Sequence, residues 1–415
     1  MKSGRKQLLK DLGTELGGPL GQLWIAGEQQ DLVGEKQFAA AEAVLPPPEL
    51  QNIATPSIET NLSFREKAGT PGTSRLREID EPGLEGVIYE SKVDRISIDV
   101  ERQILQSDAL APGQAVGRPP LGGAVPYSFR PTTDIENATT FHLDYQHSGE
   151  TAPFAELGIT PTGGPLSPLP VGRLGLLQQE NDGYWSVEAS GVPVQESLLS
   201  YTGIVDPYSG KAWGRVVDVG TTAKGYVGLG GHWGLYAESQ LGWDMGDDVE
   251  TNQHVSLGLS LSRDLQLPGF DYFTVGPSFL FEHYAHNLSG FTIGQGGYFS
   301  PDHLFEGTLG INFLTTEGKR FVLQGSFGPG VQEHYQDSSA LYPLHPDGET
   351  TPSDTNSSFV FSSKLSGVIL LASHWETGAY VGYAKSADYD DFQGGLFVRY
   401  LFGPRNGAFS TDLAQ

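Results

Sequence analysis

The chain has 415 residues, 55 of them Gly and none Cys, with a formal charge of -25 at pH 7. The acidic balance argues against nucleic acid as a partner, and the absence of Cys excludes disulfide staples, thiolate catalysis and cysteine-ligated metals. No run of about 18 apolar residues occurs, so a spanning helix is excluded; a membrane role requires a closed barrel, in which half of each strand is polar.

Residues 1–56 differ from the rest. Leu8–Leu16 and Glu35–Leu45 carry weak helical character, and Pro46–Pro47–Pro48 ends the second piece. The stretch is expected to be a periplasmic linker or short helical lead. Its first 27 residues lack an apolar h-region, so an exported chain would have its true start upstream.

From Ser57 onward, about sixteen alternating segments recur, near 57–66, 74–90, 95–104, 138–147, 152–160, 169–180, 183–193, 213–228, 233–244, 254–265, 271–284, 303–316, 320–335, 357–373, 375–388 and 392–402. A period of two marks strands with one apolar and one polar face. Trp233, Leu235, Leu241 and Trp243 oppose Tyr236, Glu238, Gln240 and Asp244, while Val255, Leu257, Leu259 and Leu261 oppose serines and a glycine. Phe273, Val275, Phe279 and Phe281 oppose Tyr272, Thr274, Ser278 and Glu282, and Phe305, Leu309, Ile311 and Phe313 oppose Glu306, Thr308 and Asn312.

Connections after even-numbered segments are short, as at 91–94, 229–232 and 317–319; those after odd-numbered ones are mostly long, as at 105–137, 194–212, 285–302 and 336–356. That sorting is the layout of an outer-membrane barrel, with short periplasmic turns, long extracellular loops and both termini periplasmic. The expected fold is therefore all-β: a transmembrane, antiparallel, up-and-down barrel of about sixteen strands over 57–402. Gln393, Gly395, Val398, Tyr400 and Phe402 resemble the terminal-strand signal of such barrels, and the tail 403–415 is expected to turn into the lumen.

Two loop motifs add a family resemblance. The stretch from Ser197 through Ser200, Tyr201, Gly203, Asp206 and Pro207 to Trp213–Gly214 is one; Phe291 to Pro301, with Gly294, Gln295, Gly296, Gly297, Tyr298 and Phe299, is the other. Both resemble the C-terminal outer-membrane barrel of the cellulose synthase operon protein C family, and Ser74–Ile79 is a weaker match. The resemblance implies a sixteen-stranded pore through which a linear β-glucan leaves the cell. It further implies outer-membrane lipid, the glucan polymer, a periplasmic repeat scaffold and the inner-membrane cellulose synthase complex as partners, and no cofactor. No 34-residue helical repeat is visible, which departs from the family's full-length pattern.

The two motif loops are expected at the extracellular mouth as gating loops. Gly294, Gly296 and Gly297 permit unusual backbone angles, and Tyr298 and Phe299 are costly to leave in water. Tyr236, Glu238, Gln240, Asp244, Tyr272, Tyr284, Glu306, Asn312, Gln324, Tyr380 and Arg399 are expected to line the lumen, where rings cover sugar C–H faces and polar groups bond hydroxyls. Trp233, Trp243, Tyr145, Trp375, Tyr383 and Tyr400 are expected in interfacial girdles. Asp247–Asp248 and Asp390–Asp391 invite a glycosidase reading, but neighbours on a strand point to opposite faces, and no catalytic residue is assigned. Glu282, His283 and His286 lack a further ligand at useful spacing, so no metal is expected either.

Overall fold

The computed structural model describes residues 54–91, 93–110, 114–118, 134–346, 348–387 and 389–413, so most of the N-terminal lead expected over 1–56 lies outside the described residues. Sixteen long strands follow one another in chain order: β1 (Ser57–Lys67), β2 (Leu76–Tyr89), β3 (Asp94–Gln106), β4 (Ile135–His147), β5 (Thr151–Ile159), β6 (Pro170–Glu180), β7 (Gly183–Pro193), β8 (Ala212–Gly230), β9 (Trp233–Asp247), β10 (Asn252–Asp264), β11 (Phe270–Tyr284), β12 (His303–Thr315), β13 (Phe321–Gln336), β14 (Asp354–Ala372), β15 (Trp375–Lys385) and β16 (Asp390–Leu401). Each pairs antiparallel with the next, and β1 pairs with β16 from Ser57↔Leu401 to Lys67↔Asp391. The sheet therefore closes with no free edge, which satisfies the backbone polar groups that hydrocarbon cannot.

The two faces settle which solvent the barrel is built for. Large apolar side chains stand outward and open: Leu174 and Val331 are each 66% exposed, and Leu157, Leu259, Phe359 and Leu396 stand out in the same way. Polar and charged side chains point inward and are buried, including Glu59, Glu188, Gln240, Glu282, Glu306 and Arg399. A soluble sandwich would invert that pattern; an apolar exterior around a polar interior is the membrane arrangement. Trp233, Trp375 and Tyr145 lie outward near the short-turn ends and Trp243 near the other end, where girdle residues belong. Trp375 meets Tyr400 edge-on at 5.1 Å.

Connections at one end are short, with two residues at 181–182, 231–232 and 373–374. The opposite end carries the long connections at 107–134, 194–211, 285–302 and 337–353. Two connections at that end, 248–251 and 386–389, are as short as turns and break the pattern. Boundaries differ from the sequence expectation by a few residues: β4 begins at Ile135 rather than 138, and β14 at Asp354 rather than 357. In β2 the register slips between Glu81 and Leu84, around Pro82, so the inward set changes from Leu76, Glu78 and Asp80 to Gly83, Glu85 and Val87. Proline donates no ladder hydrogen bond, and a bulge is where a strand accommodates it.

Candidate functional site

The long-loop end is filled from within. An apolar cluster joins inward residues at the strand ends, Leu76, Leu105, Ile135 and Ala138, to loop residues Leu198, Leu199, Tyr201, Ile204, Leu288 and Tyr298, and to Trp213, Val216 and Val249. The two motif loops meet in this cluster. The first contains a single turn of helix, α1 (Leu198–Tyr201), started by Ser197: the Ser200 amide donates to Ser197 Oγ at 3.2 Å and the Ser197 amide to Ser200 Oγ at 3.0 Å. That reciprocal cap makes one turn stable where its length would not. Ser197 Oγ also donates to the Gly297 carbonyl at 2.7 Å, and the Phe299 amide donates to Glu196 Oε2 at 2.9 Å. Lys67 Nζ, 3.0 Å from Glu196 Oε2, anchors the joint to β1.

Gly297 has φ +68°, and a Cβ there would approach Leu199, Ser197 Oγ and the Phe291 ring at 2.9 to 3.0 Å. Only glycine supplies both the left-handed backbone and the space. Trp213 is fully buried in the cluster, Tyr201 donates its hydroxyl to Gln103 Oε1 of β3 at 3.2 Å, and Phe299 lies edge-on to His334 of β13 at 5.0 Å. The motif residues do not all meet at one point. Gly294 and Gln295 face the 337–353 loop, where Gln295 Nε2 donates to the Ala340 carbonyl at 2.9 Å. Asp206, next to Pro207 and beyond Gly203, accepts the Tyr208 and Ser209 amides and the Arg118 amide, so it holds a turn rather than facing the lumen.

Below this plug lies a cavity of about 280 Å³ in the wall formed by β1 to β7, β15 and β16. Tyr380 and Arg399 line it, together with eight carboxylates, Glu59, Glu78, Asp80, Glu85, Asp99, Glu101, Asp144 and Glu156, and only two further arginines, Arg65 and Arg173. Several acids are paired: Arg399 to Glu59 at 2.7 Å, Arg95 to Glu85 at 3.1 Å, and Arg173 to Glu156 at 3.3 Å. The remaining expected lumen residues also point inward. Tyr236 donates to Glu238, Gln240 bonds Asp218, and Tyr284 stacks on His254 at 5.1 Å. Asp244 and Glu306 are buried, while Asn312 is half-buried.

The short-turn end is occupied too. The segment after β16 crosses it: Ala408 pairs with Lys319, and Leu413 packs with Tyr272, Leu314, Val322, Val368 and Phe397. Tyr272 thus faces the tail, and its hydroxyl accepts from Gln324 Nε2 at 3.1 Å. Arg399 reaches Glu59 and Glu376 and donates to the Asp412 carbonyl at 3.1 Å; Arg405 pairs with Asp412 and lies 3.5 Å from Glu376. Arg399 therefore ties the tail to β1 and β15. Glu317, in the β12–β13 turn, accepts the Ser410 amide, and burial pushes its carboxyl above the ordinary value.

Sequence reasoning passed over three groups. Asp99, Glu101 and Gln103 alternate with Ile98 and Val100 along β3, so the acid ladder was available from periodicity. Arg215, 1% exposed at φ +49°, donates to the carbonyls of Pro161, Leu166 and Thr202 and joins two loops; nothing local signals it. His254 and Asp218 come together with Asp244 only through strand pairing. Of the paired acids, Asp391 is buried against Arg65, Asp390 lies 4.0 Å from Lys385, and Asp248 pairs with Lys211.

A closed barrel with a hydrocarbon-facing exterior and a charged, plugged lumen is a bacterial outer-membrane β-barrel. Residues 74–403 match the family described as the cellulose synthase operon protein C C-terminus, and the chain belongs to that family. It is 26% identical over 316 residues to a cellulose synthase operon protein C of Komagataeibacter xylinus, covering 72% of this chain and 23% of that one. It is 28% identical over 273 residues to the protein of the same description in Xanthomonas axonopodis pv. citri (strain 306), covering 60% and 18%. The chain thus spans about a quarter of the length of these curated relatives or less. Among solved structures, it aligns with a bacterial polysaccharide outer membrane secretin at TM-score 0.48 and 9% identity, over 83% of this chain and 98% of that one.

Proposed function

We propose that this barrel is a passive, non-catalytic outer-membrane conduit for a linear β-glucan, cellulose being the polymer its family description names. Synthesis behind the chain supplies the drive, and the motif loops at the extracellular mouth act as the gate. The observation that carries the reading is the lumen: among the described residues it combines inward tyrosines with a carboxylate-rich, amide-dotted wall, as at Tyr380, Gln103, Glu101 and Gln393. Rings cover the apolar faces of neutral sugars and carboxylates accept from their hydroxyls, each weakly enough to release the next unit. The carboxylate excess of this wall, eight against the three lining arginines with Arg95 beside Glu85, repels an anionic polymer. The same imbalance favours, as a second reading, a polysaccharide bearing amino groups. Coupling to a periplasmic repeat scaffold and an inner-membrane synthase belongs to the proposal as well, through the part of the relatives this chain does not span.

Single-channel recording with added oligosaccharides tests it. Neutral β-1,4-linked glucose oligomers should give brief current blocks that lengthen with chain length and shorten in Tyr380→Ala, while uronic-acid oligomers should give none. Blocks from glucosamine oligomers alone would replace the glucan reading with the second one. Indifference to every oligomer would leave a general diffusion porin.

A further inference from the structure

Asp218 and Asp244 are direct cross-strand partners on β8 and β9, both pointing inward, and His254 on β10 sits one register row away opposite Gly242. Like charges placed directly opposite on a buried sheet face are destabilising unless something of opposite sign lies between them. Among the described residues the candidate in contact is the imidazole: His254 Nε2 lies 2.9 Å from Asp218 Oδ1. That contact serves Asp218, whose other oxygen accepts from Gln240 Nε2 at 2.8 Å. Asp244 is served less closely: its Oδ2 is buried with no donor in hydrogen-bond geometry, and only the imidazole and the Tyr298 hydroxyl stand nearby.

The surroundings are shaped for the three groups. A Cβ on Gly242 would collide with both Asp218 Oδ1 and His254 Nε2, so the missing side chain is the space they occupy. Tyr284 stacks on His254 with 26° between the rings and fixes its plane. One ligand atom from each of the three residues lies within 4.8 Å of the others.

We propose that Asp218, Asp244 and His254 form a divalent-cation site of the zinc type in the lumen wall, beneath the extracellular loop that carries Tyr298. One imidazole nitrogen and two carboxylate oxygens are the donors of a three-ligand zinc site with an open fourth position, whose bonds of about 2.0–2.2 Å need the side chains to draw in by roughly 1 Å. Calcium wants six to eight oxygens and magnesium keeps its waters, so neither suits this set. Gln240 orients Asp218 from behind, as outer-shell partners of metal ligands do. For Nε2 to ligate the ion, any proton it carries must pass to Nδ1 or to solvent, and no oxidation state changes. The buried Tyr298 hydroxyl lies beside Asp244, on the loop that covers the three groups. A bound ion would cancel the paired charges and tie three strands together at the point where the loop rests. The inference holds whichever polymer passes through the barrel.

The test uses the whole chain in detergent, stripped with a chelator, then titrated with zinc chloride by calorimetry and with cobalt(II) by visible absorption. One equivalent of zinc should bind, and cobalt should give the intense bands of a four-coordinate N/O site. Asp244→Asn and His254→Ala should lose both signals. Gln240→Ala should weaken zinc about 10–100-fold. Gly242→Ala should abolish binding by filling the cradle. Heat-modifiable migration on gels shows that each variant remains a barrel, and if either ligand variant fails that check, Gln240→Ala and Gly242→Ala decide. Absence of saturable zinc binding in the wild type overturns the proposal. So does zinc affinity unchanged in these variants, which would assign the binding to other histidines such as His142 or His147.

Discussion

Replacing Gly297 with valine probes the joint between the two motif loops. The backbone there is left-handed at φ +68°, and the new Cβ would crowd Leu199, Ser197 Oγ and the Phe291 ring. The left-handed conformation costs an L-residue roughly 1–2 kcal/mol. Forcing methyl groups into a filled core adds about 1–3 kcal/mol. The sum, about 2–5 kcal/mol, shifts the docked-to-released equilibrium of the loop by roughly 30-fold to several thousand-fold, at tenfold per 1.4 kcal/mol. Single-channel recording in planar bilayers should show frequent high-conductance openings in Gly297→Val that are rare in the wild type. Gly210→Ala is the control: φ is +74°, but a Cβ there meets nothing within 4 Å. It carries the backbone cost without the collision, away from the joint, and should conduct like the wild type. If Gly297→Val conducts like the wild type while still migrating as a barrel, or if Gly210→Ala opens as readily, the loops are not the closure described above.

Three further outcomes follow from the wall and the tail. Leu259→Arg places a charge on the outward face midway along β10 and should lower barrel stability in lipid vesicles by about 2–4 kcal/mol, whereas the inward neighbour Ser260→Asn should change it little; urea unfolding monitored by tryptophan emission separates them. Arg399→Met strands Glu59, leaves Glu376 with Arg405 alone, removes the donor to the Asp412 carbonyl, and should cost about 3–5 kcal/mol of tail docking; trypsin would then cut after Arg405, which is buried in the docked tail, and resistance equal to wild type would contradict the ion-pair account. For Glu317, burial raises the docked pKa above that of the free carboxyl, so the docked tail holds the extra proton. Docking is therefore strongest below the free carboxylate range and weakens as pH rises through the docked value. Hydrogen exchange of residues 405–413, corrected for intrinsic rate, should speed up over that window in the wild type and stay level in Glu317→Gln.

Much of the architecture was legible because a barrel wall is written locally. Alternation in Trp233–Asp244 or Phe273–Phe281 is fixed by side-chain geometry along a single strand, and loop lengths report which end most connections serve, 248–251 and 386–389 excepted. Where a strand changes phase, local reading fails: Pro82 shifts the inward set of β2 by one residue, and Glu85 then faces the lumen on a parity opposite to Glu78 and Asp80. Asp99 and Glu101 follow the alternation of β3, but nothing local distinguishes them among 50 acidic residues.

Two-faced strands, their approximate number and their oily side follow from the amino-acid order, since each depends on residues two apart. Which of the inward residues meet one another depends on the closed barrel. Leu199 meets Gly297, Arg399 meets Asp412, and Asp218 meets both Asp244 and His254 because closure of the sheet sets the register between strands and aims loops inward. Those contacts join residues up to about a hundred positions apart in the chain. No local periodicity encodes such a distance, because it is set by the sum of every strand register around the barrel.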